Sequence, residues 1–313
     1  MLGRTAGSLF WMFRYLERSE NIARLIEAGF QIALTRTNEF EDVWRSVVIT
    51  AGVEDEFLAS GGEFNRDSVV DYLLRDRSHP YSVLSMMGLA RENARTARTA
   101  LTREVWEATN QCWLELLQEF KRPIKTRDLP AHLETVRRLS AYVRGALHGT
   151  MLRNDIYDFA HLGIFAERLE STARILDVKY YVLLPSVSHV GSSIDNVHWE
   201  TILRSVSAHQ SYRWLYQGEI DSKSIADFLI LDKRLPRSIS YCAGKSHDHL
   251  AHLGKAYGSS AKSMEMVRDL YETLENIDIE SIFNRGLHEF LVDIIARSAA
   301  ISSQIEIDYR FFE

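Results

Sequence analysis

Glu17, Arg18, Glu20 and Arg24 are written a second time as Glu167, Arg168, Glu170 and Arg174, each 167 − 17 = 150 residues later. Carboxylates beside guanidiniums have three chemistries open to them. They pair with one another, they hold an anionic group such as a phosphate or a peptide carboxylate, or a carboxylate moves a proton while the arginine steadies negative charge. A helix turns by about 100° per residue, which puts Glu17, Glu20, Asn21 and Arg24 on one face with Arg18 at its edge. Glu167, Glu170, Ser171 and Arg174 repeat that face. The candidate catalytic set is therefore Glu17, Arg18, Glu167 and Arg168. The candidate ligand-binding set is Glu20, Arg24, Glu170 and Arg174, joined by Arg14 and His161.

A solvated polar face is the plainest reading, and exposed pairs at the i,i+4 spacing contribute only about 0.2–0.5 kcal/mol. Two features favour a buried or half-buried cluster. Phe10 and Phe13 fall inside the polar arc of the first segment, and one charged set is kept twice although surface charges exchange at little energetic cost. Such a cluster is either structural, with arginines bidentate on glutamates across two halves, or a site for an anionic group. Four carboxylates on facing helices also resemble di-metal bundles, but those use Glu-x-x-His pairs, whereas Glu20 and Glu170 stand three residues after Glu17 and Glu167. Neighbouring arginines oppose a dication, so the reading assigns no metal and no cofactor.

His249 and His252 stand three apart with Asp248 between them, a metal-ligand spacing that is more often a pair of surface histidines. His148 and His161 flank the stretch 149–155, and both are placed to approach the charged face. Trp11, Trp44, Trp106, Trp113, Trp199 and Trp214 fall mostly on apolar helical faces and read as core. The chain has no Walker loop, Gly-x-Gly-x-x-Gly, Gly-x-Ser-x-Gly or Cys-x-x-Cys.

The elements that position these residues read as helices. Apolar residues recur at three and four spacings over 5–37, and further helices are expected over 38–58, 68–74, 82–101, 102–120 and 132–149. The pattern then begins again: Trp199 answers Trp44 at 199 − 44 = 155 residues, and Ser224-Ile225-Ala226-Asp227 answers Ser68-Val69-Val70-Asp71 at 224 − 68 = 156. The fold class expected is all-α, a helical bundle of two tandem pseudo-symmetric repeats, 1–150 and 151–313, packed as one compact unit. The motif helices beginning near Thr5 and Asp155 are expected to face each other across a pseudo-twofold axis.

Composition agrees. Five prolines and 16 glycines in 313 residues interrupt few helices, and 46% hydrophobic with 26% charged residues is a globular balance. A net charge of −6 argues against a nucleic-acid or anionic-membrane surface. Two cysteines, Cys112 and Cys242, form neither a disulfide framework nor a zinc motif. With no leader pattern and no apolar run of about 18 residues, the expected location is cytoplasmic, with no membrane partner.

The chain resembles the alpha-E domain family, all-helical bacterial proteins with a Glu-Arg motif, also described as a domain of unknown function. Met1-Leu2-Gly3-Arg4-Thr5-Ala6, Trp11, Arg14-Tyr15-Leu16-Glu17-Arg18 and Ala23-Arg24 carry its N-terminal signature. Gly149-Thr150-Met151-Leu152-Arg153, Glu167-Arg168 and Thr172-Ala173-Arg174 resemble its central one, and Phe228-Leu229 with Asp232 and Pro236-Arg237-Ser238 its third. Arg14 has no counterpart in the central copy. The resemblance implies a partnership with a circularly permuted ATP-grasp amide or peptide ligase, and with a transglutaminase-like peptidase, in a system that makes or modifies peptides. It implies no established reaction. The expected function is a helical accessory protein of that ligase; the alternative is an enzyme using Glu/Arg acid–base chemistry on a peptide or amide intermediate, with a di-metal bundle behind both.

Overall fold

The computed structural model describes residues 1–35, 40–182, 193–217, 220–258 and 260–312, and every regular element among them is helical. In chain order the α-helices are α1 (Gly3–Thr35), α2 (Phe40–Ala51), α3 (Glu54–Ala59), α4 (Arg66–Leu74), α5 (Val83–Thr96), α6 (Arg103–Glu119) and α7 (Leu129–Thr150). They continue as α8 (Asp155–Val182), α9 (Ser193–Ser205), α10 (His209–Tyr216), α11 (Ser222–Ile230), α12 (Ile239–Tyr257), α13 (Lys262–Asn276), α14 (Ile279–Arg285) and α15 (Leu287–Asp308).

α1 and α8 lie against one another at the centre. α5 and α7 pack on α1, α12 and α15 pack on α8, and α6 and α13 close the outer layers. α2 touches both central helices, and α9 also lies on α1. Leu9, Phe10, Phe13, Leu16 and Ile26 are at most 1% exposed, so α1 is covered on most of its circumference, as a core helix must be. α8 comes close because of Gly163, where a Cβ would stand 2.2 Å from the Phe10 carbonyl oxygen.

Several boundaries differ from the expected ones, each for a local reason. The 38–58 helix, whose first residues lie outside the described ones, is broken at Gly52. That residue takes φ +74, its N–H bonds back to Ile49 O at 2.9 Å, and α3 restarts beyond Val53. The 132–149 helix begins earlier, at Leu129, because its first turn accepts Pro130. The 82–101 helix ends at Thr96, ahead of Thr102, which caps α6 through Val105 N.

Trp44 and Trp199 are buried as expected, but Trp214 is 74% exposed. On the two-turn α10 Tyr212 is the buried anchor, and a residue two positions on points to the other side. Cys112 and Cys242 are buried free thiols, and burial pushes both up to about 12, so neither is a nucleophile at neutral pH. No described helix is long and apolar enough to cross a membrane.

Candidate functional site

The two Glu-Arg dipeptides meet at the contact between α1 and α8 and exchange partners. Arg18 Nε donates to Glu167 Oε1 at 2.8 Å, and Arg168 Nε donates to Glu17 Oε1 at 2.8 Å. Glu17, Glu20, Glu167 and Glu170 are 0%, 1%, 4% and 7% exposed, which disposes of a solvated face. The i,i+4 pairs also form, with Arg24 Nη2 2.7 Å from Glu20 Oε1 and Arg174 Nη2 2.8 Å from Glu170 Oε1. Each of these outer arginines reaches a left-handed corner of the chain. Arg24 donates to Ser207 Oγ at 2.5 Å, where φ is +57, and Arg174 sits against Gly52, where a Cβ would stand 3.1 Å from its Nη1.

Two further arginines, which helical spacing does not reveal, complete the Glu17 and Glu20 end. Arg237, in the segment before α12, lies 2.7 Å from Glu17 Oε1, 3.0 Å from Glu20 Oε1 and 2.8 Å from Asn21 Oδ1. Arg144 of α7 contacts both glutamates. Arg237 stands in the Pro236-Arg237-Ser238 segment of the family resemblance, a signal without a geometric meaning until the fold is known. Arg144 carries no sequence signal.

The Glu167 and Glu170 end is built differently. Arg14 donates to Glu167 Oε2 at 3.3 Å and to Glu170 Oε2 at 2.8 Å, taking up its place without a counterpart in the second motif. This end adjoins a cavity of about 220 Å³ lined by Arg18, Asn21, Tyr81, Glu167, Glu170 and Arg174, with Gly52 and Glu56 at the corner between α2 and α3. Asn21 is 7% exposed, and with its Oδ1 occupied by Arg237 its Nδ2 has no hydrogen-bond partner. An unpaired buried amide costs about 1–3 kcal/mol, and the residue that carries it lines the cavity.

Charges follow the same division. Burial pushes the Glu17 carboxyl up, but Arg168, Arg237 and Arg144 outweigh it and hold the group far below the usual range. Burial and Glu17 raise Glu20, and Arg237, Arg144 and Arg24 bring it below its ordinary value. Burial also raises Glu170, against Arg14, Arg18 and Arg174, which prevail. Burial pushes the Arg237 guanidinium down to about 10, still charged at neutral pH. Among the described residues, seven arginines (14, 18, 24, 144, 168, 174 and 237) contact the four glutamates, a formal excess of 7 − 4 = 3 positive charges. Glu56 on the cavity wall and Glu306 near Arg14 offset part of that excess. An ionised carboxylate tied by three guanidiniums is a poor proton shuttle at neutral pH, so Glu17 is best suited to holding the helices together.

His161 is not among these ion pairs. It is 3% exposed, its Nδ1 is 2.9 Å from Tyr157 O, and its ring stacks on His249 at 5.1 Å, with His148 5.0 Å away. Burial pushes it down to about 3, so the ring is neutral. His249 bonds Asp158 of α8 at 2.7 Å, while Asp248 turns outward to Lys245.

A family model described as a predicted alpha-helical domain with a conserved ER motif matches residues 1–310. Within the match the chain has two Glu-Arg dipeptides, Glu17-Arg18 and Glu167-Arg168, the residues that exchange partners between α1 and α8. No curated protein and no solved structure shows a significant match.

Proposed function

The chain belongs to the Alpha-E family, and from that membership we propose a helical binding protein that accompanies an ATP-grasp amide or peptide ligase and holds a charged end of the peptide. The carrying observation is the unequal seam. Four arginines seal Glu17 and Glu20, whereas Glu167 and Glu170 border a cavity with an unpaired donor at Asn21 and the guanidiniums of Arg18 and Arg174 on its wall. At about 220 Å³ the cavity is smaller than the roughly 300–1,000 Å³ that encloses a whole small ligand, and so suits an end group. Guanidinium donors on the cavity wall match a carboxylate in geometry.

The same proposal reads the molecule as two pseudo-symmetric repeats, 1–150 and 151–313, of one compact unit. Support comes from paired details at one offset. Asn65 and Asp221 cap α4 and α11 through Ser68 N and Ser224 N at 2.9 and 2.8 Å, with 221 − 65 = 156. Ser82 and Ser238 cap α5 and α12 through Ser85 N and Tyr241 N at 3.1 and 3.0 Å, with 238 − 82 = 156. Such an arrangement gives the ligase a rigid docking body, with the transglutaminase-like peptidase a second partner and the cytoplasm the setting.

Titration of the whole protein with one peptide in free-acid and C-terminally amidated forms tests the pocket. The free acid is expected to bind and the amide to lose at least about tenfold, the scale of one charge-assisted contact; equal binding of both, or of neither, refutes it. Co-purification with the ligase at low and moderate salt tests the partnership, which fails if the two never associate. One observation favours the acid–base alternative, namely that Glu167 and Arg18 line the cavity. Full activity of a Glu167→Gln protein in the reconstituted ligase assay would remove that alternative.

A further inference from the structure

Asp158, His249 and His252 stand outside the Glu–Arg seam, and the function proposed above uses none of them. Asp158 lies in the first turn of α8, and His249 and His252 are one turn apart on α12, which packs against α8. Asp158 Oδ1 is 2.7 Å from His249 Nδ1 and 3.6 Å from His252 Nδ1. One donor atom from each of the three lies within 4.8 Å of the other two. A tetrahedral ion with ligands at roughly 2.0–2.2 Å sets its donors about 3.3 Å apart, so the trio is within a small rotamer adjustment of a coordination shell. The Asp158 and His249 side chains are 9% and 11% exposed while His252 is 61% exposed, which gives a walled inner side and an open outer one.

A further imidazole packs against the trio. His161 follows Asp158 by one turn on α8 and stacks on the His249 ring, and it is 3% exposed. A carbonyl only accepts, so the 2.9 Å contact with Tyr157 O places the proton on Nδ1 of His161. Its Nε2 is left as a lone-pair nitrogen with no partner. A buried imidazole thus packs against His249, one of the three donors.

We propose that Asp158, His249 and His252 bind one divalent transition-metal ion of the zinc class, with a coordination position open to solvent beside His252. Two imidazoles and one carboxylate suit zinc, cobalt or iron, whereas calcium and magnesium take oxygen sets. In the metal-free chain His249 Nδ1–H donates to Asp158 Oδ1 at 2.7 Å. When the ion takes Nδ1, that proton moves to Nε2 by tautomerisation, and the Nδ1 lone pair and the carboxylate oxygen both turn to the metal. The open position is the feature that separates a working site from a closed structural one.

The test is a titration of the full chain, freed of metal by chelation and desalting, with cobalt chloride. Expected are visible d–d absorption bands that saturate at one ion per chain and are abolished by zinc chloride. His252→Ala, at an exposed position, should keep the helical circular dichroism and weaken cobalt binding by at least about tenfold, the lower end of what even indirect ligand support contributes. His249→Gln should do the same. His247→Ala, on the same helix but stacked on Tyr271 at 5.6 Å, should bind like the parent. Absence of stoichiometric bands in the parent protein overturns the proposal, and so does parental affinity in a folded His252→Ala chain.

Discussion

Arg18 Nε lies 2.8 Å from Glu167 Oε1, and Arg168 stands in the same relation to Glu17 at the same distance. Each central helix therefore holds the counter-ion of the other. Replacing a buried pair with apolar groups is often neutral, but removing one partner leaves a charge without compensation in a dry site. Glu17→Gln, at a position 0% exposed, strands Arg168, Arg237 and Arg144 together. We expect a loss of about 3–5 kcal/mol in urea unfolding. A loss below about 1 kcal/mol, the scale of a surface pair, would contradict the sealed arrangement.

Gly163→Ala should be costly for a steric reason. The added carbon would stand 2.2 Å from the Phe10 carbonyl oxygen, which is backbone and has no rotamer to give. Separating α1 from α8 is expected to cost about 3 kcal/mol, the upper part of the overpacking range. Gly145→Ala on α7 meets nothing within 4 Å and should stabilise by roughly 0.5–1 kcal/mol through helix propensity alone. Thermal midpoints moving in opposite directions would confirm both.

Acid should weaken the fold by a defined route. Glu17, Glu20 and Glu170 are all held below their ordinary 4.5 in the folded chain, the arginines outweighing burial. On unfolding each returns to that ordinary value, so as pH falls the unfolded chain takes up protons first. Their contribution is complete above about pH 4.5 and is lost as pH drops through the folded values. Unfolding free energy measured from pH 7 to pH 3 should decline below about 4.5, and less steeply in Glu17→Gln.

Arg174→Ala separates binding from folding. Its side chain is 35% exposed and lines the cavity, so its removal should leave the thermal midpoint near that of the parent. Affinity for a free-acid peptide should fall at least about tenfold, and an Arg24→Ala chain, altered at the sealed end, should retain it. Equal binding by both variants would place the peptide elsewhere.

The duplicated Glu-Arg spacing was sufficient to foresee long helices and a buried charged cluster, because a 3.6-residue period and two copies of one charged face are local properties of the chain. Phe10 and Phe13 already argued against a wet face, and both are fully buried. Arg144 and Arg237 were not foreseeable as partners of Glu17, since they arrive from α7 and from the segment before α12, and no local period links them to α1. A glycine within a helical pattern is often tolerated, so the break at Gly52 is legible only in the fold, where the residue takes a positive φ. His161 was expected near the charged face, and the structure seats it in a histidine cluster because the α8–α12 contact draws it to His249.

The exchange of counter-ions also has a schedule. Arg18 and Glu167 are separated by 149 residues, and at about 5–20 residues per second synthesis takes roughly 8–30 s to bring the second after the first. Within that interval α5 and α7, which cover part of α1, are made first, and α8, which carries the counter-ions of Glu17 and Arg18, comes last. The α1–α8 pairing is thus a long-range contact, of the kind whose closure slows folding, and residues 1–150 do not contain the groups that complete it.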